Sequence, residues 1–253
     1  MHIKRIGHGK DLVLIHGWGM HSGIWEPVIE NFSNQYTLHL VDIPGMGKSP
    51  VIAPYDLNHL AKVISKELPL NFDILGWSLG SLIALKMSLL YPNKINRIVL
   101  VGGTPCFINQ ANWSYGVDVK DFNDFANKLF KNYKSTMINF YTLQLMHSKN
   151  IKVLIKKLKK MNEELDSQEV KSLQLGLDIL LKNDLRNEIN QIKHQTLLMV
   201  GELDRLTPKS ASLWMKSQLK QGQLKVIEGA SHIPFLSHPE IFFNHLDQFL
   251  LAA

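Results

Sequence analysis

A serine, a histidine and a carboxylate together turn a weak hydroxyl into a nucleophile: the histidine takes the proton, and the carboxylate holds the histidine. This 253-residue chain carries a serine in a setting suited to that chemistry, within Gly76-Trp77-Ser78-Leu79-Gly80. Residues 72–75, Phe-Asp-Ile-Leu, read as a short buried strand. Residues 79–90 carry Leu82, Leu85, Met87, Leu89 and Leu90 among small residues and read as a helix. Ser78 then sits on a tight strand-to-helix turn. Glycines two positions before and after it leave the space that such a turn needs. The first N–H groups of the helix lie beside the serine oxygen, where developing negative charge is stabilised.

The pentapeptide fits G-x-S-x-G, the nucleophile elbow of the α/β-hydrolases, in which the acid and then the histidine follow on later strand-ending loops. Residues 197–200 form an apolar run that ends in Gly201-Glu202-Leu203-Asp204-Arg205. Asp204 is the expected acid. Glu202 is the rival, nearer the strand and with a longer side chain. Residues 224–227 lead into Gly229-Ala230-Ser231-His232, which makes His232 the expected base. His238, just before Pro239, and His194, just before a strand, are the alternatives. Near the start, residues 12–15 read as a buried strand running into His16-Gly17-Trp18-Gly19. In the α/β-hydrolase pattern this loop supplies half of an oxyanion hole. That implies the backbone N–H groups of Trp18 and Leu79 as oxyanion donors, with His16 a structural residue.

Those loops need a scaffold. Strands are expected at 12–15, 36–42, 72–75, 97–101, 196–200 and 224–227. Helices are expected from Asp56 or Asn58 to about 68, over 79–90, from about 209 and from about 239. Alternation of this kind implies an α/β fold: a mostly parallel central sheet with helices on both faces. The rhythm breaks over 105–191, where helical periodicity replaces strands. That stretch is too long for a loop in a compact domain. The expected organisation is a core over 1–104 and 192–253, interrupted by a helical lid over 105–191.

Composition narrows the classes. A hydrophobic fraction of 45% suffices for a globular core. No apolar run is long enough to span a membrane, and residues 12–15 are too short for a signal peptide core. Cys106 is the one cysteine, so no intramolecular disulfide forms, and a cytoplasmic protein is expected. No Cys/His cluster has metal-ligand spacing, so neither metal nor cofactor is expected. Residues 44–49 hold a G-x-G but lack the third glycine of a dinucleotide site, and the pattern is not a P-loop. The net charge of +6 is uneven: residues 120–160 hold ten Lys against two Asp, with no Arg or Glu. Lys149, Lys152, Lys156, Lys159 and Lys160 share one helical face, opposite Ile151, Leu154, Ile155, Leu158 and Met161. No nucleic-acid motif accompanies them.

Several stretches together resemble one family. They are His16-Gly17-Trp18-Gly19-Met20, Leu38-His39-Leu40-Val41-Asp42-Ile43-Pro44-Gly45, the Ser78 elbow and Ala230-Ser231-His232-Ile233-Pro234-Phe235. In the lid they are Phe140-Tyr141-Thr142-Leu143-Gln144, Gly176-Leu177-Asp178-Ile179-Leu180 and Asp184-Leu185-Arg186. The chain is similar over its full length to the pimeloyl-[acyl-carrier protein] methyl ester esterases of biotin synthesis. The resemblance implies an α/β-hydrolase fold and a carboxylesterase that frees the pimeloyl carboxylate, with Ser78, Asp204 and His232 as its triad. It implies substrate contacts from Trp18, Ser78, Leu79, His232 and residues Phe140, Tyr141, Thr142, Leu143 and Gln144. On the residues alone, Phe140 and Tyr141 either line an acyl tunnel or belong to the lid's own core. On the residues alone the lysine stripe reads as a solvated amphipathic face; acyl-carrier proteins are acidic, so with the resemblance Lys152 and Lys156 are expected carrier contacts on a monomeric enzyme. The chain departs from the family at Ser81, where a second glycine is usual, and in its lid, which has lysines where arginines are common. A general short-chain carboxylesterase, or a lyase or carbon–carbon-bond hydrolase on the same fold, is the alternative.

Overall fold

A computed structural model describes residues 1–161 and 167–251. Its centre is a seven-stranded sheet in the order β1-β3-β2-β4-β5-β6-β7. In chain order the strands are β1 (Ile3–Gly7), β2 (Lys10–Ile15), β3 (Tyr36–Val41), β4 (Phe72–Trp77), β5 (Ile95–Val101), β6 (Gln195–Gly201) and β7 (Gly222–Ile227). All neighbours pair in parallel except β1, which lies antiparallel to β3 at one edge. The β1 strand has no counterpart in the sequence expectations. Its burial is only partial, so its apolar pattern is weak. By contrast, Leu12 to Ile15 and all of β4 are buried, as befits strands covered on both faces.

The helices of the core are α1 (Glu26–Phe32), α2 (Leu57–Lys66), α3 (Leu79–Leu90), α8 (Lys209–Gln218), α9 (Pro234–Ser237) and α10 (Pro239–Leu251). Asp56 caps α2, its carboxylate accepting the His59 N–H at 2.8 Å. The α3 helix is buried from Leu79 to Ser88 and packs against β2, β4 and β5. Among the described residues, four α-helices lie between β5 and β6: α4 (Val119–Lys131), α5 (Tyr133–Gln144), α6 (Ile151–Met161) and α7 (Ser167–Lys182). Residues 105–118 form no helix there. They are irregular chain pinned by isolated bridges such as Cys106 to Asp184 and Ile108 to Val117. Helical periodicity alone therefore overstated the helical part of 105–191.

The sheet order sets where a ligand can bind. From β2 the chain moves to β3 on one side and then crosses to β4 on the other. The crevice outside the carboxyl ends of β2 and β4 is thus a topological switch point. The loops after those two strands carry Trp18 and Ser78.

Candidate active site

The turn after β4 is tight. Ser78 has φ 56° and ψ −117°, a conformation that a side chain adopts only under constraint. The constraint is visible on both flanks. A Cβ on Gly76 would lie 2.3 Å from the Gly80 carbonyl oxygen, and one on Gly80 would lie 2.1 Å from that of Ile15. Only glycine lets β4, α3 and β2 approach so closely. The Ser78 N–H donates to the Val101 carbonyl at 2.9 Å, and the Ser81 hydroxyl donates to that of Gly76 at 2.6 Å. Ser81 thus fastens the strand end beneath the turn. Ser78 itself keeps 8% exposure. Leu79 is the first residue of α3, so its N–H has no acceptor within the helix.

Two further loops meet beside this turn. His232 Nδ1 lies 2.7 Å from Asp204 Oδ2, and both side chains are buried. Asp204 is thoroughly bound. Its Oδ1 accepts the N–H groups of Leu206 and Thr207 at 2.9 and 3.0 Å, and its Oδ2 also accepts the Thr207 hydroxyl at 2.8 Å. An ionised carboxylate is acceptor-only, so these donors suit the charged form. With Nδ1–H directed at Asp204, His232 presents Nε2, a buried atom with no hydrogen-bond partner among the described residues. The backbone around it is also tied down. Trp77 Nε1–H donates to the His232 carbonyl at 2.9 Å, and the His232 N–H donates to that of Gln144 at 3.1 Å. Gly102, with φ 50°, closes the floor: a Cβ there would lie 2.9 Å from His232 Nδ1. The other acidic and basic candidates lie elsewhere. Glu202 is exposed and accepts the Gly229 N–H at 3.1 Å. His194 pairs with the Pro92 carbonyl and His238 with the Ser237 hydroxyl.

The loop after β2 packs directly on the serine turn. A Cβ on Gly17 would lie 2.9 Å from the Trp77 ring and 3.1 Å from Ser78 Cβ. His16 is fully buried between two loops. Its Nε2 accepts the Ile43 N–H at 3.0 Å, so Nδ1 carries the proton and donates to the Gly17 carbonyl at 2.8 Å. Burial lowers its pKa to about 4, and the ring is neutral. The Trp18 ring faces the other way, into the inserted helices. Its Nε1–H donates to the Leu173 carbonyl of α7 at 2.8 Å, and it stacks edge-on against Phe125 and Phe140. A Cβ on Gly176 of α7 would lie 2.7 Å from Trp18 Cδ1.

The α5 residues divide between packing and tethering. Phe140 packs on Trp18, and Tyr141 is buried. Thr142 bonds back to the Ile138 carbonyl within its own helix. The Leu143 carbonyl accepts the Ser231 hydroxyl at 3.2 Å. Gln144 is buried, and its Oε1 has no partner among the described residues. On α6, Leu158 is buried and Ile151, Leu154, Ile155 and Met161 pack on the core, while Lys152 and Lys156 are exposed. Among the described residues, no group of three His, Cys, Asp or Glu side chains could hold a metal. No helix there is long and apolar enough to cross a membrane. Cys106 is buried, and burial raises its thiol pKa.

Sequence reasoning missed Thr207, Trp77 and Gly102. Thr207, three residues after Asp204, carried the only local signal, since a hydroxyl at that spacing can turn back on the carboxylate.

Comparison with known proteins fits this geometry. A family model described as alpha/beta hydrolase fold matches residues 11–239. A protein of Nitrosomonas europaea named pimeloyl-[acyl-carrier protein] methyl ester esterase is 38% identical over 247 residues, covering 98% of each chain. One of the same name from Aeromonas hydrophila is 34% identical over 250 residues, again covering 98% of each. Among solved structures, an esterase from Exiguobacterium antarcticum superposes with a TM-score of 0.90 at 25% identity, covering 98% of this chain and 94% of its own. A hydrolase from Oleispira antarctica, at 22% identity, shares the fold with a TM-score of 0.89, over 99% of this chain and 94% of its own. With its seven-stranded sheet, its serine turn after the central strand and these full-length relatives, the chain belongs to the alpha/beta hydrolase family.

Proposed function

We propose that the protein is a serine carboxylesterase that hydrolyses the methyl ester of pimeloyl-[acyl-carrier protein] in biotin synthesis. The observation that carries the chemistry is the buried His232–Asp204 pair, with Nε2 unpartnered among the described residues and the His232 carbonyl bonded to Trp77, the residue before the strained Ser78. The substrate is taken from the name shared by full-length relatives at 33–38% identity.

In this reading His232 Nε2 accepts the Ser78 proton as the hydroxyl oxygen attacks the ester carbonyl. Asp204 holds the tautomer and stabilises the imidazolium that forms. The N–H groups of Trp18 and Leu79 receive the oxyanion, and the N-terminus of α3 adds its positive end. His232 then gives that proton to the leaving methoxide oxygen as the C–O bond breaks, and methanol departs. Water attacks the acyl-enzyme with His232 again as base, and the pimeloyl carboxylate is released. The four inserted helices act as a lid whose α5 face lines the acyl path through Phe140, Tyr141, Thr142, Leu143 and Gln144. The exposed Lys152 and Lys156 meet the acidic carrier protein, and the enzyme works as a cytoplasmic monomer. The test is mass spectrometry of methyl-pimeloyl carrier protein incubated with wild type and Ser78→Ala. Wild type should remove the methyl group and leave the thioester intact, and Ser78→Ala should leave both the methyl ester and the thioester in place. A general short-chain esterase would instead cleave free dimethyl pimelate as fast as the carrier-bound ester.

A further inference from the structure

The geometry points to Thr207 as a positioning residue of the catalytic group, whose hydroxyl holds Asp204 Oδ2 in place for its hydrogen bond to His232. The inference rests on the triad assigned above and adds a residue to it. Thr207 is fully buried. Its Oγ1 lies 2.8 Å from Asp204 Oδ2 and 3.4 Å from His232 Nδ1, and the two latter atoms are 2.7 Å apart. Three atoms thus form a closed triangle, and their proton assignments follow from it. Nδ1–H goes to Asp204, so it is no acceptor for the threonine. The Thr207 proton therefore goes to Oδ2, and with that proton on the same side the hydroxyl touches Nδ1 without accepting from it.

That arrangement has one consequence. Oδ2 is held by two donors and cannot swing away from the histidine. A carboxylate fixed in this way favours the imidazolium that forms during reaction. The backbone N–H of Thr207 also binds Asp204 Oδ1, but any residue other than proline would supply that bond. Only a hydroxyl supplies the bond to Oδ2.

The test uses a short soluble p-nitrophenyl ester and five enzymes: wild type, Thr207→Val, Thr207→Ser, Asp204→Asn, and Asp204→Asn with Thr207→Val. Thr207→Val should lower kcat about tenfold, the scale of a lost hydrogen bond to a charged group, with KM within about twofold. Thr207→Ser should recover to within about threefold of wild type. The double variant should be no more than about threefold slower than Asp204→Asn, because a residue acting through Asp204 has nothing left to support. Thr207→Ala replaces Thr207→Val if the valine variant does not fold. A hydroxyl-free variant that keeps more than half of kcat would overturn the inference. So would a serine variant as slow as the valine, or losses that multiply in the double variant. An active Asp204→Asn would instead sink the triad itself, whatever Thr207 does.

Discussion

Ser78 and His16 show how differently a polar residue can be kept in a buried setting. Ser78 is held in a strained turn with its side chain partly accessible. Ser78→Ala should lower kcat on a small ester by about 10⁵ to 10⁶ with folding intact, and His232→Ala should match it within tenfold, since triad members act as a unit. Asp204→Asn should lower kcat by about 10³ to 10⁴ through loss of tautomer control. Glu202→Gln should cost little, because its carboxylate is exposed and binds only a loop N–H. Steady-state kinetics of the four variants checks this, and a larger loss at Glu202 would move the acid there. His16 is instead sealed and neutral, with a pKa lowered from 6.5 to about 4 by burial. Between those values the unfolded chain binds a proton that the folded chain refuses. His16 therefore leaves stability whole above pH 6.5 and withdraws up to about 3 kcal/mol as pH falls to 4. Urea denaturation should show the gap between wild type and His16→Asn narrowing from pH 7 to pH 4.5. A constant gap would mean that the ring is not held neutral.

At the scale of elements, α6 divides its two faces. Its apolar residues pack inward, while Lys152, Lys156, Lys159 and Lys160 face outward beside Val153, which is 68% exposed. Lys157 stands apart, pairing with Glu26 of α1 at 2.6 Å. Replacing Lys152 and Lys156 with Glu should leave a small soluble ester within about twofold, since exposed charges far from the reaction are screened. The same change should slow hydrolysis of the carrier-bound ester by about tenfold or more, roughly 1.4 kcal/mol, as attraction to an acidic partner becomes repulsion. Added salt should close the gap by slowing wild type. Values of kcat/KM for both substrates at two salt concentrations decide it, and equal losses on both substrates would make the lysines a support for the helix.

For the whole molecule, the joint between core and insertion is Trp18. Its backbone lies in the loop packed on Ser78, while its ring touches Phe125, Phe140, the Leu173 carbonyl and the helix at Gly176. Ser231 and the His232 N–H tie the end of α5 to the core, and His21 Nε2 lies 3.0 Å from the Met161 carbonyl. The Lys157–Glu26 pair is exposed and adds little. Trp18→Phe removes the indole hydrogen bond and should loosen the insertion by about 1–2 kcal/mol. Limited proteolysis should then cut within residues 119–182 about tenfold faster, with cleavage elsewhere unchanged. An unchanged cutting rate would shift the main attachment to His21 and the apolar seam of α6.

What the sequence determined was local. The run from Phe72 through Gly80 to Leu90 can form only a buried strand, a turn without room for side chains and a buried helix, because each requirement is written in adjacent residues. The same holds for the loops that carry Asp204 and His232. The buried strands were legible, and so was the partly buried β7 with its run Leu224 to Ile227, whereas β1, half-exposed and paired antiparallel at the edge, was not. The irregular chain over 105–118 was equally hidden, since it is anchored by a bridge from Cys106 to the distant Asp184 and otherwise closes short irregular loops. The sequence favoured His232 over His194 and His238, and the tertiary structure supplied its contact with Asp204, which depends on how β6 and β7 pair. Only the tertiary structure decided that Thr207 lies against that pair, that His16 is neutral and that Trp18 belongs to both the core and the insertion. Each of these is a property of what lies across a contact, and no residue carries that information in its own neighbourhood along the chain.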